Sequence, residues 1–495
     1  MSLIKKLAGE TLVYGLGSIL PKVLNFVILT PYLTNKFNDA QGLYGIHGIM
    51  YGFIGLMMVI MTLRLETTFF RFGSKEGGLE KSYSTGLSTL LIVSILCALT
   101  LFFCASPVAS FLTKASDAVY VKIIAFILAL DIITALPFAR LRLEAKPIRF
   151  SVVKIMNVVI TILALLFFLE LLPLLAANGN DWASNLYSTD QRLTYVFIAN
   201  LIGSLGILIM LLPELKKYSW KFDSVLFKQM FAYAWPLIIV GIAGVINVSS
   251  DRWLLNTFLP GGTEENEIQT GIFNACVKIA VFMSLFTTAF NYAAEPFFFK
   301  QAGQKKSPQL YADIARAFTF MASLIFLIIL FYLDIFQYLI GSNFREGLYV
   351  VPVLLMAYLF LGLHYNFSVW YKVNDQTKYG AMIATIGSVI SLSVNIILIP
   401  KIGPMAAAWA AFFTFFTMAC LNVLFGKKHY PIPYKLGRIA IIILIALGFY
   451  LLSKELSILL DLQPISRMLI NTGLLGLYLG IIYFMEKDFY KRILA

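Results

Sequence analysis

Residues 247–259 read NVSSDRWLLNTFL and sit between two long apolar runs. The stretch has the apolar content of a membrane helix, yet Asp251 and Arg252 stand side by side within it. Each charge at a bilayer centre costs about 2.5–3.5 kcal/mol on insertion scales. A helix that accepts both faces either a partner helix that neutralises them or a wet cavity. Neighbouring helix positions point about 100° apart, so Asp251 and Arg252 are not expected to face each other. Asp251 shares a face with Asn247, one turn back, and Arg252 with Asn256, one turn ahead.

The whole chain fits this setting. Of its 495 residues, 59% are hydrophobic and 13% charged, against about 25% charged in a soluble chain. The class is an all-α integral membrane protein. A spanning helix needs roughly 20 apolar residues, and fourteen such stretches are expected, at about 11–34, 42–65, 84–105, 117–139, 150–172, 193–213, 231–258, 269–294, 311–332, 347–371, 379–399, 403–425, 436–453 and 467–486. The longest outer loop, about Pro173 to Arg192, is too short for a domain. Cys97, Cys104, Cys276 and Cys420 all lie in apolar runs without CxxC spacing, which reads as small core hydrophobes. Lys5 and Lys6 precede a run of spanning length with no small-residue cleavage site, so no cleavable signal peptide is expected.

Lys and Arg placement sets orientation. With the N-terminus cytoplasmic, the inside segments hold 25 of the 39 Lys and Arg residues and the outside loops seven. Both termini are therefore expected on the cytoplasmic side of the membrane. The same asymmetry accounts for the net charge of +13 without nucleic acid as a partner.

The chain also repeats itself. At an offset of 229, Gly42-Leu43-Tyr44 matches Gly271-Ile272-Phe273, and ETTFFR (Glu66–Arg71) matches EPFFFK (Glu295–Lys300). With three extra residues in the following loop, NFVILTPYL (Asn25–Leu33) aligns with DRWLLNTFL, which pairs Asn25 with Asp251. Spans 1–6 and 7–12 thus read as two copies of a six-helix unit, related by an axis along the membrane normal. The expected organisation is an N-lobe at 1–220, a C-lobe at 221–430 and two extra helices at 431–495, with a substrate cavity between the lobes.

Polar residues inside the spans are the candidate cavity set. Ser18, Lys22 and Asn25 form a stripe on the first span, beside Pro21, which should kink it. Tyr44, His47 and Tyr51 share a face of the second; a lone His is as readily a packing residue. Asp131, Lys154, Asn247, Asp251, Arg252 and Lys278 complete the set, and a helix-to-helix Asp131–Lys154 pair is the plainer alternative. Arg64, Glu66, Arg71, Glu295 and Lys300 stand where spans 2 and 8 end, either as a gate between lobes or as caps and snorkelling cations. No metal-ligand motif appears. GLGSIL at Gly15 lacks a third glycine, Walker A and HExxH are absent, and NVS and NFS lie inside spans. An enzyme is therefore not expected.

Several stretches, SSDRWLLNTFL, LPFARLRLEAKPIRFSVVKI (136–155) and YKVNDQTKYGAMIATIGSVISLSVNIILIPKIGPMAAAWAA (371–411), carry a resemblance. The chain resembles the Wzx-like polysaccharide and oligosaccharide flippases of the multidrug/oligosaccharidyl-lipid/polysaccharide (MOP) superfamily. That resemblance implies fourteen transmembrane helices, two pseudo-symmetric six-helix lobes around a central cavity that alternates between faces, and two C-terminal helices. It implies transport of a polyprenyl-diphosphate-linked oligosaccharide for O-antigen, capsule or exopolysaccharide synthesis, with membrane lipids, a polysaccharide polymerase and glycosyltransferases as partners. No cofactor is implied beyond a coupling cation, Na⁺ or H⁺. A lipid II flippase and a cation-coupled multidrug exporter of the same superfamily are the alternatives.

Overall fold

The computed structural model describes residues 20–219, 221–301, 307–374 and 376–494; the side chains at 292–293, 295–297, 299–301 and 488–494 lie outside the described residues. Every regular element among them is a helix. Thirteen stretches are long and apolar enough to cross a membrane, and they coincide with the second to fourteenth expected spans. The first expected span begins outside the described residues; its visible part, α1, is helical over 20–36. The count of fourteen is therefore met for thirteen.

The chain divides into two compact units, one formed by 1–274 with 395–404 and the other by 275–394 with 405–495. The first contains α1, α2 (Gln41–Met61), α3 (Leu65–Gly73), α4 (Gly78–Phe103), α5 (Ala118–Leu143), α6 (Pro147–Leu166), α7 (Arg192–Met210), α8 (Ser224–Phe258) and the start of α9 (Thr263–Gln301).

Two irregularities in this unit have a local cause. Asn25–Leu29 and Phe167–Leu171 are π-helical turns, and each precedes a proline by two residues, Pro31 and Pro173. A proline in a helix lacks an N–H and its ring meets the carbonyl four residues back. Those carbonyls belong to Val27 and Leu169, the midpoints of the two π turns, and the wider turn gives the ring room. The break between α2 and α3 is different. Leu63 and Arg64 both adopt left-handed backbone, φ 51° each, with no glycine or proline at hand. Such residues cost about 1–3 kcal/mol apiece and need surroundings that hold them.

α2 packs on α8 and on the start of α9 by backbone contact. A Cβ on Gly45 would lie 2.9 Å from Gly271 N, and one on Gly271 3.0 Å from Gly45 N and closer still to the Gln41 carbonyl. Bare glycine is the residue that permits this crossing.

Ion pairs gather at the two ends of the helices. At the Lys/Arg-rich end, Arg140 pairs with Glu80 and Glu144, Glu144 also takes Lys146 (2.6 Å) and Lys217 (2.9 Å), and Arg149 pairs with Glu214 at 2.7 Å. At the other end, Lys36 meets Glu170, Arg192 meets Asp39 and Lys114 meets Glu267. Residues from alternate helix ends sort cleanly between the two groups, as an up-and-down path through a membrane requires.

The second unit holds the rest of α9, then α10 (Ser307–Phe331), α11 (Val351–Phe367), most of α12 (Thr377–Ile402), α13 (Pro404–His429), α14 (Leu436–Leu459) and α15 (Pro464–Leu494). α15 is fastened to α10 along its length. Arg316 pairs with Glu486, Asn471 Nδ2 donates to the Phe331 carbonyl at 2.9 Å, and Arg467 pairs with Asp334 at 2.6 Å. Ser453 Oγ of α14 donates to Asn471 Oδ1 at 2.5 Å. The two helices that stand outside the sequence repeat are built into this unit.

Candidate functional site

Three of the candidate residues meet in one cavity of the first unit. Asp131 on α5, Lys154 on α6 and Glu66 in the first turn of α3 line a space of about 350 Å³, with Thr134, Arg142 and Asn157. Its walls include Met58, Phe138, Phe150 and Ile207. The spacing explains the assembly. Asp131, Thr134, Phe138 and Arg142 fall on one face of α5, and Lys154 and Asn157 on one face of α6. The α2–α3 break turns Glu66 toward them. From Arg142, near the basic end, to Asp131 is 11 residues, or roughly 16 Å of helix, so the polar strip reaches deep into the span.

Contacts within the cavity are indirect. The Lys154 ammonium sits 3.9 Å from the centre of the Phe138 ring, a cation–π contact that partly replaces water. It feels the charges of both Asp131 and Glu66, and of Lys22 on α1. Ser204 on α7 stands beside the Asp131 carboxylate. Two acids and two bases thus share a space with apolar walls, where charges interact more strongly than in water. The arrangement offers both donors and acceptors to a polar ligand.

The opening stretch resolves differently from its expectation. Arg252 Nη1 lies 2.8 Å from Asp251 Oδ1, so these neighbours do pair. The helical angle separates their Cβ directions, but the arginine chain is long enough to fold back along the helix, and its Nη1 also donates to the Val248 carbonyl at 3.1 Å. Arg252 Nε donates to Asn274 Oδ1 at 3.0 Å, and Asn274 Nδ2 donates to the Tyr44 carbonyl at 3.3 Å. The charges of α8 therefore brace the crossing of α2 and α9.

The remaining candidates scatter. His47 lies in an aromatic stack, 5.3 Å from Tyr44 and 4.5 Å from Tyr51, with Phe197 beside it. Asn247 is buried on α8, while Lys22 and Asn25 are exposed on α1. The Arg64 guanidinium lies over Gly241 of α8, where a Cβ would come 2.7 Å from its Nε. Arg71 stacks on Tyr233 at 4.2 Å. Lys278 is half-buried on α9 in the second unit. The side chains of Glu295 and Lys300 lie outside the described residues. Sequence reading missed Thr134, Arg142 and Asn157; their helical spacing from Asp131 and Lys154 was the available signal.

The second unit carries a groove of another kind. Between α11, α13 and α14, about 550 Å³ is walled by Phe360, Phe367, Phe416, Leu424 and Leu444, with Lys427 at its edge.

A family model described as polysaccharide biosynthesis protein matches residues 7–301. The chain belongs to this family. The expected resemblance is thereby borne out at the level of the family, and similar solved structures bear out the fold. The lipid II flippase MurJ, in an inward closed conformation, is similar over 95% of this chain and 99% of its own, with a TM-score of 0.71 at 14% identity. An inward-facing multidrug resistance MATE family transporter of the MOP superfamily covers 82% of this chain and 94% of its own, with a TM-score of 0.65 at 12% identity. A MOP superfamily transporter from Pyrococcus furiosus follows at 85% and 95% coverage, a TM-score of 0.55 and 11% identity. At such identities the likeness is one of fold. No curated protein matches the chain.

Proposed function

We propose that this family member is a flippase that carries a polyprenyl-diphosphate-linked oligosaccharide across the bacterial cytoplasmic membrane by alternating access. It acts as a carrier, not a catalyst, with both termini in the cytoplasm. The observation that supports it best is the cavity holding Lys154, Arg142, Asp131 and Glu66 within membrane-crossing helices of a polysaccharide biosynthesis protein. A diphosphate needs cations and a glycan needs mixed donors and acceptors; this cavity supplies both, and it reaches the Lys/Arg-rich end where a cytoplasmic substrate enters. The apolar groove of the second unit suits a polyprenyl chain by the same chemical logic.

The test uses the purified protein in liposomes, with a fluorescent polyprenyl-diphosphate oligosaccharide and a membrane-impermeant quencher. Wild type moves the label between leaflets. Lys154→Ala loses one charge-assisted contact, about 1.5–3 kcal/mol, or roughly ten- to a hundred-fold in affinity. Transport of small amphiphilic cations with no glycan movement would instead assign the chain to drug export. A reporter fused after Lys217 should read cytoplasmic and one at Glu265 external; the reverse sinks the orientation.

A further inference from the structure

At the helix ends away from the Lys/Arg-rich side, the α8–α9 and α12–α13 turns enclose a second polar cavity of about 240 Å³. All of it belongs to the first unit. Its apolar lining is Leu259, the buried Ile399 and three prolines, of which Pro260 and Pro400 are exposed. Its rim carries the Glu265 carboxylate, the Gln269 carboxamide and the Lys401 ammonium. That combination matches one class of molecule. A sugar ring has a C–H face that packs on apolar surface and an edge of hydroxyls that both donate and accept.

An independent feature points the same way. Asn266 is 6% exposed, and its Nδ2 is held by donations to the Asn256 and Leu259 carbonyls at 3.1 and 3.0 Å. Those bonds fix the carboxamide, and its Oδ1 has no hydrogen-bond partner among the described residues. A buried acceptor without a donor costs about 1–3 kcal/mol. The same oxygen and Glu265 Oε2 both stand 2.8 Å from the place a Cβ on Gly261 would occupy. A side chain at 261 would collide with both acceptors, and a hydroxyl is a donor whose chemistry suits them. A rim lysine disfavours a metal ion there.

We infer that this cavity is a sugar-binding subsite at the outer end of the protein, taking one ring of the glycan as it leaves. The inference rests on the flippase reading, and it adds a place where the glycan is held apart from its diphosphate. The site therefore binds free sugar, without any lipid.

Saturation-transfer NMR tests it on the full chain in nanodiscs, with glucose, N-acetylglucosamine and glucuronic acid at millimolar concentration as probes. Wild type transfers saturation to the ring protons of at least one probe. Gly261→Ala presses on both acceptors while keeping every polar group, and Gln269→Leu removes one polar lining group. Each should weaken the signal roughly threefold to tenfold, with monodisperse protein in both cases. No signal in wild type, or an unchanged signal in both variants, overturns the subsite. Leaflet transfer in liposomes is scored separately. Wild type that binds sugar but moves no lipid-linked glycan removes the flippase reading and leaves the site standing; wild type that moves glycan but shows no free-sugar signal does the opposite.

Discussion

Arg252 shows how much a single residue can mislead when side chains are treated as rays. A 100° step between neighbours separates Cβ directions, not the ends of long chains, so the ion pair with Asp251 was hidden while the need for a partner was legible. Its removal leaves Asp251 charged and enclosed, which typically costs about 3–5 kcal/mol. Arg252→Ala should therefore lower the melting temperature and membrane yield sharply, whereas Arg252→Ala with Asp251→Ala should recover much of both. A double variant no better than the single one would mean that the Asn274 bond, not the ion pair, matters. At the opposite end of the helices Glu144 makes a different forecast. Burial opposes its charge, but hydrogen bonds from Lys146, Arg140 and Lys217 outweigh that and hold its carboxyl down at about 2, against an ordinary 4.5. Between those values the unfolded chain binds the extra proton, so stability falls as pH drops through this window and is full above it. Glu144→Gln should be less stable than wild type at neutral pH, with the gap closing as pH falls from 4.5 toward 2. A gap independent of pH would remove the charge from the account.

Elements came through with uneven clarity. The long helices were legible because a bilayer demands an apolar run of fixed length, and thirteen such runs appear where composition places them. The crossing of α2 and the start of α9 was half legible. Gly42 and Gly271 stood out as repeat partners, but the helix they meet is set by packing, and Gly45 is the residue that faces Gly271. Gly271→Ala should not be accommodated, because its Cβ would overlap the Gln41 carbonyl; folded yield should drop. Gly244→Ala on α8 has nothing within 4 Å of its Cβ and should be neutral or slightly stabilising, by up to about 1 kcal/mol. Equal behaviour of the two in thermal melts would show that the crossing is loose. The α2–α3 break was not legible at all. No glycine or proline marks Leu63 and Arg64, whose left-handed backbone is flanked by the turn bonds Leu63 N to Ile60 O and Leu65 N to Thr62 O, with the Arg64 side chain over Gly241. That break places Glu66 in the cavity, so a residue read as a gate at the end of a span joined Asp131 and Lys154.

At the scale of the whole chain, the repeat read in the sequence was expected to take in twelve spans, which leaves α14 and α15 outside it. The structure explains them by attachment. Arg316 is 7% exposed and Glu486 2%, and each is the other's counter-charge on facing helices. Asp334, in the short helical turn just after α10, repeats the tie with Arg467. Two ion pairs at separate points along α15 favour one height and one rotation, adding a polar register to packing that lacks a hydrophobic driving force in lipid. Glu486→Gln should then destabilise the protein strongly, since a buried guanidinium is left without its carboxylate. Arg316→Met combined with Glu486→Met replaces both charges with flexible apolar chains and should restore folding. The register of α15 is the decisive readout. With the Arg316–Glu486 pair gone, the Asp334–Arg467 tie remains at the other end, and adding Arg467→Ala to the double Met variant should let α15 slide. A cysteine crosslink engineered between α10 and α15 would then form at several positions along the helix instead of one. A single crosslink position in the triple variant would show that shape alone sets the register, and that the charges serve some other end.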